Sequence, residues 1–227
     1  GSAATEEITG CPAISASAEP VAGHVRKSEK PVREMTADDM HTVAKKFAEA
    51  ALRVKEAGFD GVEIHAAHGY LLDQFYSPLS NKRTDAYGGD LDGRIHLLLD
   101  VIRAVREAVG ADYLVALRLG ASDYTEGGAT IDDAVYACKK FEKAGVDLLD
   151  ISGGFNGFTV KNRNGPGFFA DASSAIREAV HVPVILTGGV TKANEAEALL
   201  EEGAADLIGV GRAIFKDADW AKKEMEE

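Results

Sequence analysis

Two histidines and a tyrosine follow one strand-like run closely enough to act on the same substrate oxygen. The apolar-rich run 62–64 leads into His65, and His68 and Tyr70 come directly after it. Imidazole N–H groups can stabilise an oxygen that gains negative charge, and a phenol can give up a proton. Two structural histidines bonded to backbone carbonyls are the alternative. The convergence of three such groups at a strand end favours a catalytic site.

A single arginine interrupts the apolar run over residues 114–119. A guanidinium inside a buried strand must be paired or must face an anionic ligand, because an unpaired buried charge costs too much free energy. Two interpretations of Arg118 therefore stay open. It forms a structural ion pair with Glu63 or Asp150, or it contacts a ligand at the strand end.

Glycines end the last two strand-like runs, at positions where a phosphate group would bind. Thr187-Gly188-Gly189 ends one run, and Gly209-Val210-Gly211-Arg212 ends the next. Glycine lets backbone amides approach an anion, a helix N-terminus favours negative charge, and an arginine adds a bidentate contact. Phosphate binds after the last two strands of many (β/α)8 barrels. Two ordinary tight turns are the alternative interpretation.

These groups must be positioned by an alternating pattern of strands and helices, which begins near residue 40 and is typical of βαβ units. Five strands are predicted, over Gly61–His65, Tyr113–Leu119, Leu148–Ser152, Val182–Thr187 and Leu207–Val210. Their nearly continuous apolar character predicts a parallel sheet that is buried on both faces. The pattern by itself leaves both an open doubly wound sheet and a closed barrel possible.

The chain is predicted to divide at residue 35. Residues 1–35 have no sustained period and are expected to form an extended loop or a hairpin, whereas residues 36–227 contain the strands and helices. Helices are predicted over Thr36–Ala57, Ile95–Val109 and Ile131–Ala144. Thr36 begins the first helix, with a carboxylate three residues later. Cys138 lies on the apolar face of the third and is predicted to be a core residue.

The composition excludes several kinds of partner. The 227 residues include 37 acidic and 25 basic ones, and the net charge of −12 would repel phosphate backbones and anionic lipid. The two cysteines are far apart and indicate no zinc site or disulfide framework, so a reducing cytoplasm is expected. No apolar run approaches the roughly 18 to 20 residues of a membrane helix, and no leader pattern opens the chain. We therefore expect a small-molecule substrate, with no nucleic-acid or membrane partner.

Several motifs over residues 20–227 together resemble one known family. They are Gly58–Leu72 (GFDGVEIHAAHGYLL), Gln74–Pro78 (QFYSP), Asn81–Gly89 (NKRTDAYGG), Arg118–Tyr124 (RLGASDY), Thr187–Gly189 and Gly211–Arg212. This set closely resembles the old yellow enzyme family of FMN-dependent NAD(P)H:flavin oxidoreductases. The resemblance implies an α/β fold of the TIM (β/α)8 barrel type with FMN at its mouth, and it identifies the five runs as strands four to eight.

The resemblance also implies a role for each candidate residue. His65 and His68 would bind the carbonyl or nitro oxygen of the substrate, and Tyr70 would be the proton donor. Arg118 would lie beside the flavin pyrimidine. The FMN phosphate would be held by Thr187, Gly188, Gly189, Gly211 and Arg212. The implied reaction is that of an ene-reductase, in which hydride passes from NADH or NADPH through the flavin to an activated alkene.

The segment Asn81–Gly89 has no evident acid–base role. We predict that it forms a hydrogen-bonded loop that fixes the mouth of the barrel and braces Arg94.

The first three βα units of the family have no counterpart in the sequence, so an N-terminally incomplete barrel is expected. We favour two explanations for the missing units, namely a proteolysed or partly determined enzyme and a deliberate fragment. A swapped assembly and a natural truncation are the other two. Five strands would leave two sheet edges unpaired, which favours a homo-oligomer or association with the missing N-terminal part. Two other functions stay open, namely a phosphate-binding barrel enzyme without flavin and an inactive barrel fragment that acts as a scaffold.

Overall fold

The computed structural model describes residues 6–18 and 32–226 as helices, strands and their connections. The helices are α1 Glu6–Thr9, α2 Ala37–Glu56, α3 Leu71–Tyr76, α4 Leu91–Arg94, α5 His96–Val109, α6 Ile131–Ala144, α7 Ala170–Arg177, α8 Ala193–Glu201, α9 Arg212–Lys216 and α10 Trp220–Glu226. The strands are β1 Ile14–Ser15, β2 Arg33–Glu34, β3 Gly61–Ala66, β4 Leu114–Ser122, β5 Leu148–Gly153, β6 Val184–Thr187 and β7 Leu207–Gly209.

Strands β3 to β7 form one parallel sheet, and their order in the sheet is their order in the chain. A doubly wound sheet reverses its strand order at a switch point, whereas consecutive units of a barrel keep it. The sheet is therefore five consecutive βα units of a barrel. All five predicted strands are confirmed, and the largest difference is in β4, which continues to Ser122.

Side chains of the sheet alternate between a buried face and a partly open one. Ile64, Leu117 and Ile151 have 3%, 0% and 0% of their surface exposed, because the helices cover their face. Leu114 and Leu207, on the other face, are 42% and 48% exposed. We call this second face the open face. The prediction of burial on both faces therefore holds only in part, since Ala116, Asp150 and Ser152 on the open face are buried whereas Leu114 and Leu207 are not.

The helices against the sheet bury the faces that the sequence predicts. Thr36 caps α2 in a capping box with Asp39, and Thr130 caps α6 in the same way with Asp133. Cys138 is fully buried on α6, as predicted, and burial raises the pKa of its thiol. The buried residues of α5 and α6 join the side chains of β3, β4 and β5 in one core.

The N-terminal segment joins this core and does not form a hairpin within the described residues. β1 pairs with β2 in parallel, with Ile14 opposite Arg33, whereas a hairpin needs antiparallel neighbours. Ala16 and Met35 are buried with the main core. Residues 1–5 and 19–31, also part of the predicted loop or hairpin, lie outside the described residues.

Among residues 6–18 and 32–226, no helix is long and apolar enough to cross a bilayer.

Candidate active site

His65, His68 and Tyr70 come together at the carboxyl end of β3, as the sequence predicts. The ring centroids of His65 and His68 are 5.1 Å apart, and those of His65 and Tyr70 are 5.2 Å apart. Tyr70 is 40% exposed, so its phenol can reach a bound molecule. The short turn between β3 and α3 is what places three polar rings side by side.

This turn is held by the two residues at positions 73 and 74, which the sequence analysis did not single out. The Gly69 N–H donates to Asp73 Oδ2 (2.7 Å), and Gln74 Nε2 donates to the Gly69 carbonyl (2.8 Å). His68 has a φ of 60°, a left-handed conformation that costs a non-glycine residue about 1–2 kcal/mol. The two side chains fix the peptide between His68 and Tyr70 and so support the strained backbone. Their only sequence signal is a short polar pair one helical turn after a glycine.

The histidines lie in an environment that keeps them neutral. Burial, with the positive charge of Arg118 and then His65 as smaller causes, lowers the pKa of His68 to about 4. Burial and then Arg118 also lower the pKa of His65. His68 Nε2 lies 2.8 Å from Ser152 Oγ. At neutral pH each imidazole therefore carries one ring N–H for hydrogen bonding.

The low pKa of His68 predicts how the free energy of unfolding depends on pH. The unfolded side chain binds its proton near the ordinary pKa of 6.5 and the folded one only near 4, so the unfolded state binds more protons between these values. The contribution of His68 to the free energy of unfolding is complete above pH 6.5 and is lost as the pH falls towards 4. Urea denaturation of wild type and His68→Asn from pH 7 to pH 4 tests this, since asparagine tolerates the left-handed backbone. Wild type should lose more stability than the variant, and parallel curves would contradict the prediction.

Arg118 lies beside His65 on one side and Asp150 on the other, since the strand registers pair these residues. Arg118 Nε is 3.4 Å from Asp150 Oδ2, but it makes no hydrogen bond within the described residues. Burial raises the pKa of Asp150 to about 7, and Arg118 partly opposes the shift. Burial also raises the pKa of Glu63. Arg118 therefore lies next to a carboxylate, as expected for a structural ion pair. It also lines a cavity, as expected for a residue that contacts a ligand.

The carboxyl ends of β4 to β7 surround a cavity of about 1000 Å³. Its lining includes every residue predicted to bind the cofactor, namely Arg118, Thr187, Gly188, Gly189, Gly211 and Arg212. His65, His68 and Tyr70 are not in the lining, but they lie at its edge. His68 contacts Ser152 and has its ring centroid 6.2 Å from that of Phe158, and both partners line the cavity.

The glycines of the two predicted phosphate turns differ in what they require. Gly188 and Gly189 have φ values of 126° and 77°, and a Cβ on Gly189 would collide with the Gly165 carbonyl oxygen. Packing and backbone conformation therefore demand glycine there whether or not a phosphate binds. A Cβ on Gly211 would meet nothing within 4 Å. The backbone at Gly211 is open to the cavity, and Arg212 follows it with its guanidinium carbon 5.9 Å from the Phe158 ring centroid.

The segment Asn81–Gly89 forms the structural loop that was predicted. Asn81 Nδ2 donates to the carbonyls of Phe75 and Tyr87, at 2.7 and 2.8 Å. Arg94 donates to the Gly89 carbonyl at 3.3 Å and to the Tyr76 carbonyl at 3.0 Å. The loop and Arg94 thus support the carboxyl end of α3, directly behind the histidine turn.

Curated proteins that are similar to this chain include a reductase and a dehydrogenase. A metal reductase of Desulforamulus reducens is 41% identical over 228 residues, which are 99% of this chain and 34% of that protein. An NADPH dehydrogenase of Geobacillus thermodenitrificans is 41% identical over 198 residues, which are 85% of this chain and 57% of that protein. The chain therefore spans less than two thirds of the length of these relatives.

Solved structures confirm the barrel. A 2-naphthoyl-CoA reductase in complex with 2-naphthoyl-CoA matches with a TM-score of 0.83 and 30% identity, over 91% of this chain and 32% of that one. The old yellow enzyme homologue of Zymomonas mobilis matches with a TM-score of 0.79 and 28% identity, over 97% of this chain and 63% of that one. These neighbours are TIM-barrel oxidoreductases, and the five-stranded sheet corresponds to part of their barrel. Residues 2–227 match the family model of the NADH:flavin oxidoreductase / NADH oxidase family, and the chain belongs to that family.

Proposed function

We propose that this chain forms the flavin-binding part of an ene-reductase, which passes hydride from NADH or NADPH through FMN to an activated alkene. The observation that carries the proposal is the cavity. It joins Arg118 in the middle of β4 to the glycine turns after β6 and β7, with two neutral histidines and a tyrosine at its edge. The family membership and the NADPH dehydrogenase relatives support the same chemistry.

The residues of the cavity fit FMN. Its volume of about 1000 Å³ is ample for a nucleotide-sized ligand, since small-molecule pockets are commonly about 300–1000 Å³. In a chain of net charge −12, Arg118 and Arg212 both face this space, which suits an electron-rich ring at one end and a phosphate at the other. The buried Arg118 Nε and Asp150 Oδ1 make no hydrogen bonds within the described residues, so the cavity offers polar atoms that a ligand would pair.

The two histidines would bind and polarise the substrate. As neutral imidazoles, His65 and His68 can each donate an N–H to a carbonyl or nitro oxygen, which gains negative charge during alkene reduction. The contact with Ser152 fixes the ring of His68. The pKa values of both rings lie below the ordinary value, so neutral donors are available over the whole physiological pH range.

Tyr70 would protonate the substrate carbon. When bound, FMN supplies the hydride that is delivered to the β-carbon of the alkene. The neighbouring α-carbon then needs a proton, and the half-exposed phenol of Tyr70 lies next to the ring of His65. The O–H group of a phenol can serve as general acid.

Flavin titration of the intact chain tests the proposal. We expect FMN fluorescence to change on binding, and the bound protein to oxidise NADPH when 2-cyclohexenone is added. Arg212→Gln should weaken FMN binding about tenfold or more and leave riboflavin binding nearly unchanged, because a hydrogen bond to a charged group contributes about 1.5–3 kcal/mol.

The matched control for this experiment is Arg103→Gln, which removes an exposed arginine of α5 outside the cavity lining. It should bind both flavins as wild type does. A folded wild-type chain that binds no flavin would contradict the proposal and favour the flavin-free barrel enzyme. Flavin binding without alkene-dependent NADPH oxidation would favour the scaffold interpretation.

A further inference from the structure

Asp150 is a buried acidic group at the cavity for which the reaction above has no use. Its side chain is only 7% exposed and lines the cavity. One carboxylate oxygen, Oδ2, lies 3.4 Å from Arg118 Nε, while the other, Oδ1, has no hydrogen-bond donor among the described residues. A buried acceptor without a hydrogen-bond donor is unfavourable, so this oxygen needs a donor.

The neighbouring hydroxyl groups are already engaged elsewhere. Thr187 Oγ1 donates to the Ile151 carbonyl at 2.8 Å, and Ser152 Oγ lies 2.8 Å from His68 Nε2. Arg118 Nε approaches the opposite oxygen and is not aligned for a hydrogen bond. Thr187 is close enough to Asp150 to interact with it, but no donor of the described residues is aligned on Oδ1, so this oxygen is open to a donor from a molecule in the cavity.

The position of Asp150 in the sheet indicates which part of a ligand would reach it. Arg118 lies on β4, Asp150 lies opposite it on β5, and Thr187 ends β6. If the ring of a ligand lies near Arg118 and its phosphate lies near Gly188 and Arg212, the part of the ligand that links ring and phosphate passes over β5. In FMN this linker is a polyol chain, whose hydroxyl groups are hydrogen-bond donors.

We propose that Asp150 binds the polyol chain of the flavin by accepting a hydrogen bond from one of its hydroxyl groups. This inference rests on the proposed function. A carboxylate suits the task, because a charge-assisted O–H···O⁻ bond is about twice as strong as a neutral one. The Arg118 guanidinium beside it favours the charged form.

The test compares riboflavin with lumiflavin, which has the same ring but a methyl group in place of the polyol. Dissociation constants are measured at pH 8.5, above the pKa of Asp150 of about 7, for the full chain and for Asp150→Leu and Asp150→Asn. We expect wild type to bind riboflavin more tightly than lumiflavin. Asp150→Leu should reduce this preference about tenfold or more, and Asp150→Asn, which keeps a neutral acceptor, should reduce it about threefold.

The control is Glu63→Leu, which removes the other carboxylate that interacts with Arg118 and that also acts on Asp150, but that lies outside the cavity lining. Its riboflavin preference should equal that of wild type. Circular dichroism establishes that each variant is folded, and Asp150→Asn alone decides the question if the leucine variant is not.

The outcomes separate this inference from the proposed function. If wild type binds neither flavin, the proposed function fails. If wild type binds both flavins but Asp150→Leu weakens them equally, or if riboflavin is not preferred at all, the flavin site stands and the polyol contact is refuted.

Discussion

Replacing Tyr70 with phenylalanine is expected to slow alkene reduction by about 100- to 10 000-fold and to leave flavin reduction by NADPH unchanged. The variant keeps the aromatic ring, whose centroid is 5.2 Å from that of His65, and removes only the hydroxyl group. In the proposed reaction, hydride transfer into the flavin needs no proton from this side chain, whereas the completion of alkene reduction does. Stopped-flow measurement of the two half-reactions, with NADPH and then with 2-cyclohexenone, separates the steps.

Tyr136→Phe is the matched control for this experiment. Tyr136 is 43% exposed, close to the 40% of Tyr70, and its hydroxyl group donates to Asp92 on the protein surface. It should change neither half-reaction. If Tyr70→Phe slows both half-reactions equally, the residue positions the flavin; if it slows neither, another group supplies the proton.

The parts of the fold that follow from local pattern could be predicted from the sequence. The capping box at Thr36 needs only residues within one helical turn, and the strands are short apolar runs between glycines or acidic turns. The cluster of His65, His68 and Tyr70 was predictable for the same reason, since all three lie in one turn after one strand.

The residues that hold the site from a distance could not be predicted in this way. Asp123 accepts hydrogen bonds from Ser77 Oγ and from the N–H groups of Ala129 and Phe155, and so ties together three segments around the cavity. Two of these partners are 46 and 32 residues away. A buried aspartate of this kind has the same appearance in the sequence as a surface aspartate. Only the packing of β4 and β5 brings its partners together.

The burial of the open face was mispredicted for a related reason. An apolar strand shows that a side chain prefers to be buried, but the burial of Leu114 or Leu207 depends on whether other strands stand opposite. That information does not lie in the strand itself. The long apolar runs therefore predicted the sheet correctly, but they predicted too much burial for its open face.

Replacing Arg83 with alanine is expected to lower the free energy of unfolding by about 2–4 kcal/mol, because two buried carbonyl groups lose their donor and each buried acceptor without a partner costs about 1–3 kcal/mol. The Arg83 side chain is 5% exposed, and its Nη1 donates to the carbonyls of Ala16 (2.9 Å) and Met35 (2.8 Å) while the guanidinium pairs with Asp85. Its removal leaves two buried carbonyls without a donor. It also cuts the link between the N-terminal segment and the loop behind the active site. Urea denaturation followed by circular dichroism measures the loss.

Arg177→Ala is the control, because Arg177 also pairs with an aspartate, Asp206, but is 41% exposed. Exposed pairs contribute about 0–1 kcal/mol, so this variant should unfold close to wild type. Arg83→Lys should lie between the two, since an ammonium group keeps the charge but cannot reach two carbonyls and a carboxylate with the planar geometry of a guanidinium. If Arg83→Ala costs no more than Arg177→Ala, the buried guanidinium adds nothing to the attachment of the N-terminal segment, which is then held by the apolar contacts of Ala16 and Met35 and by the hydrogen bond from Ser15 Oγ to Gln74 Oε1 (2.9 Å).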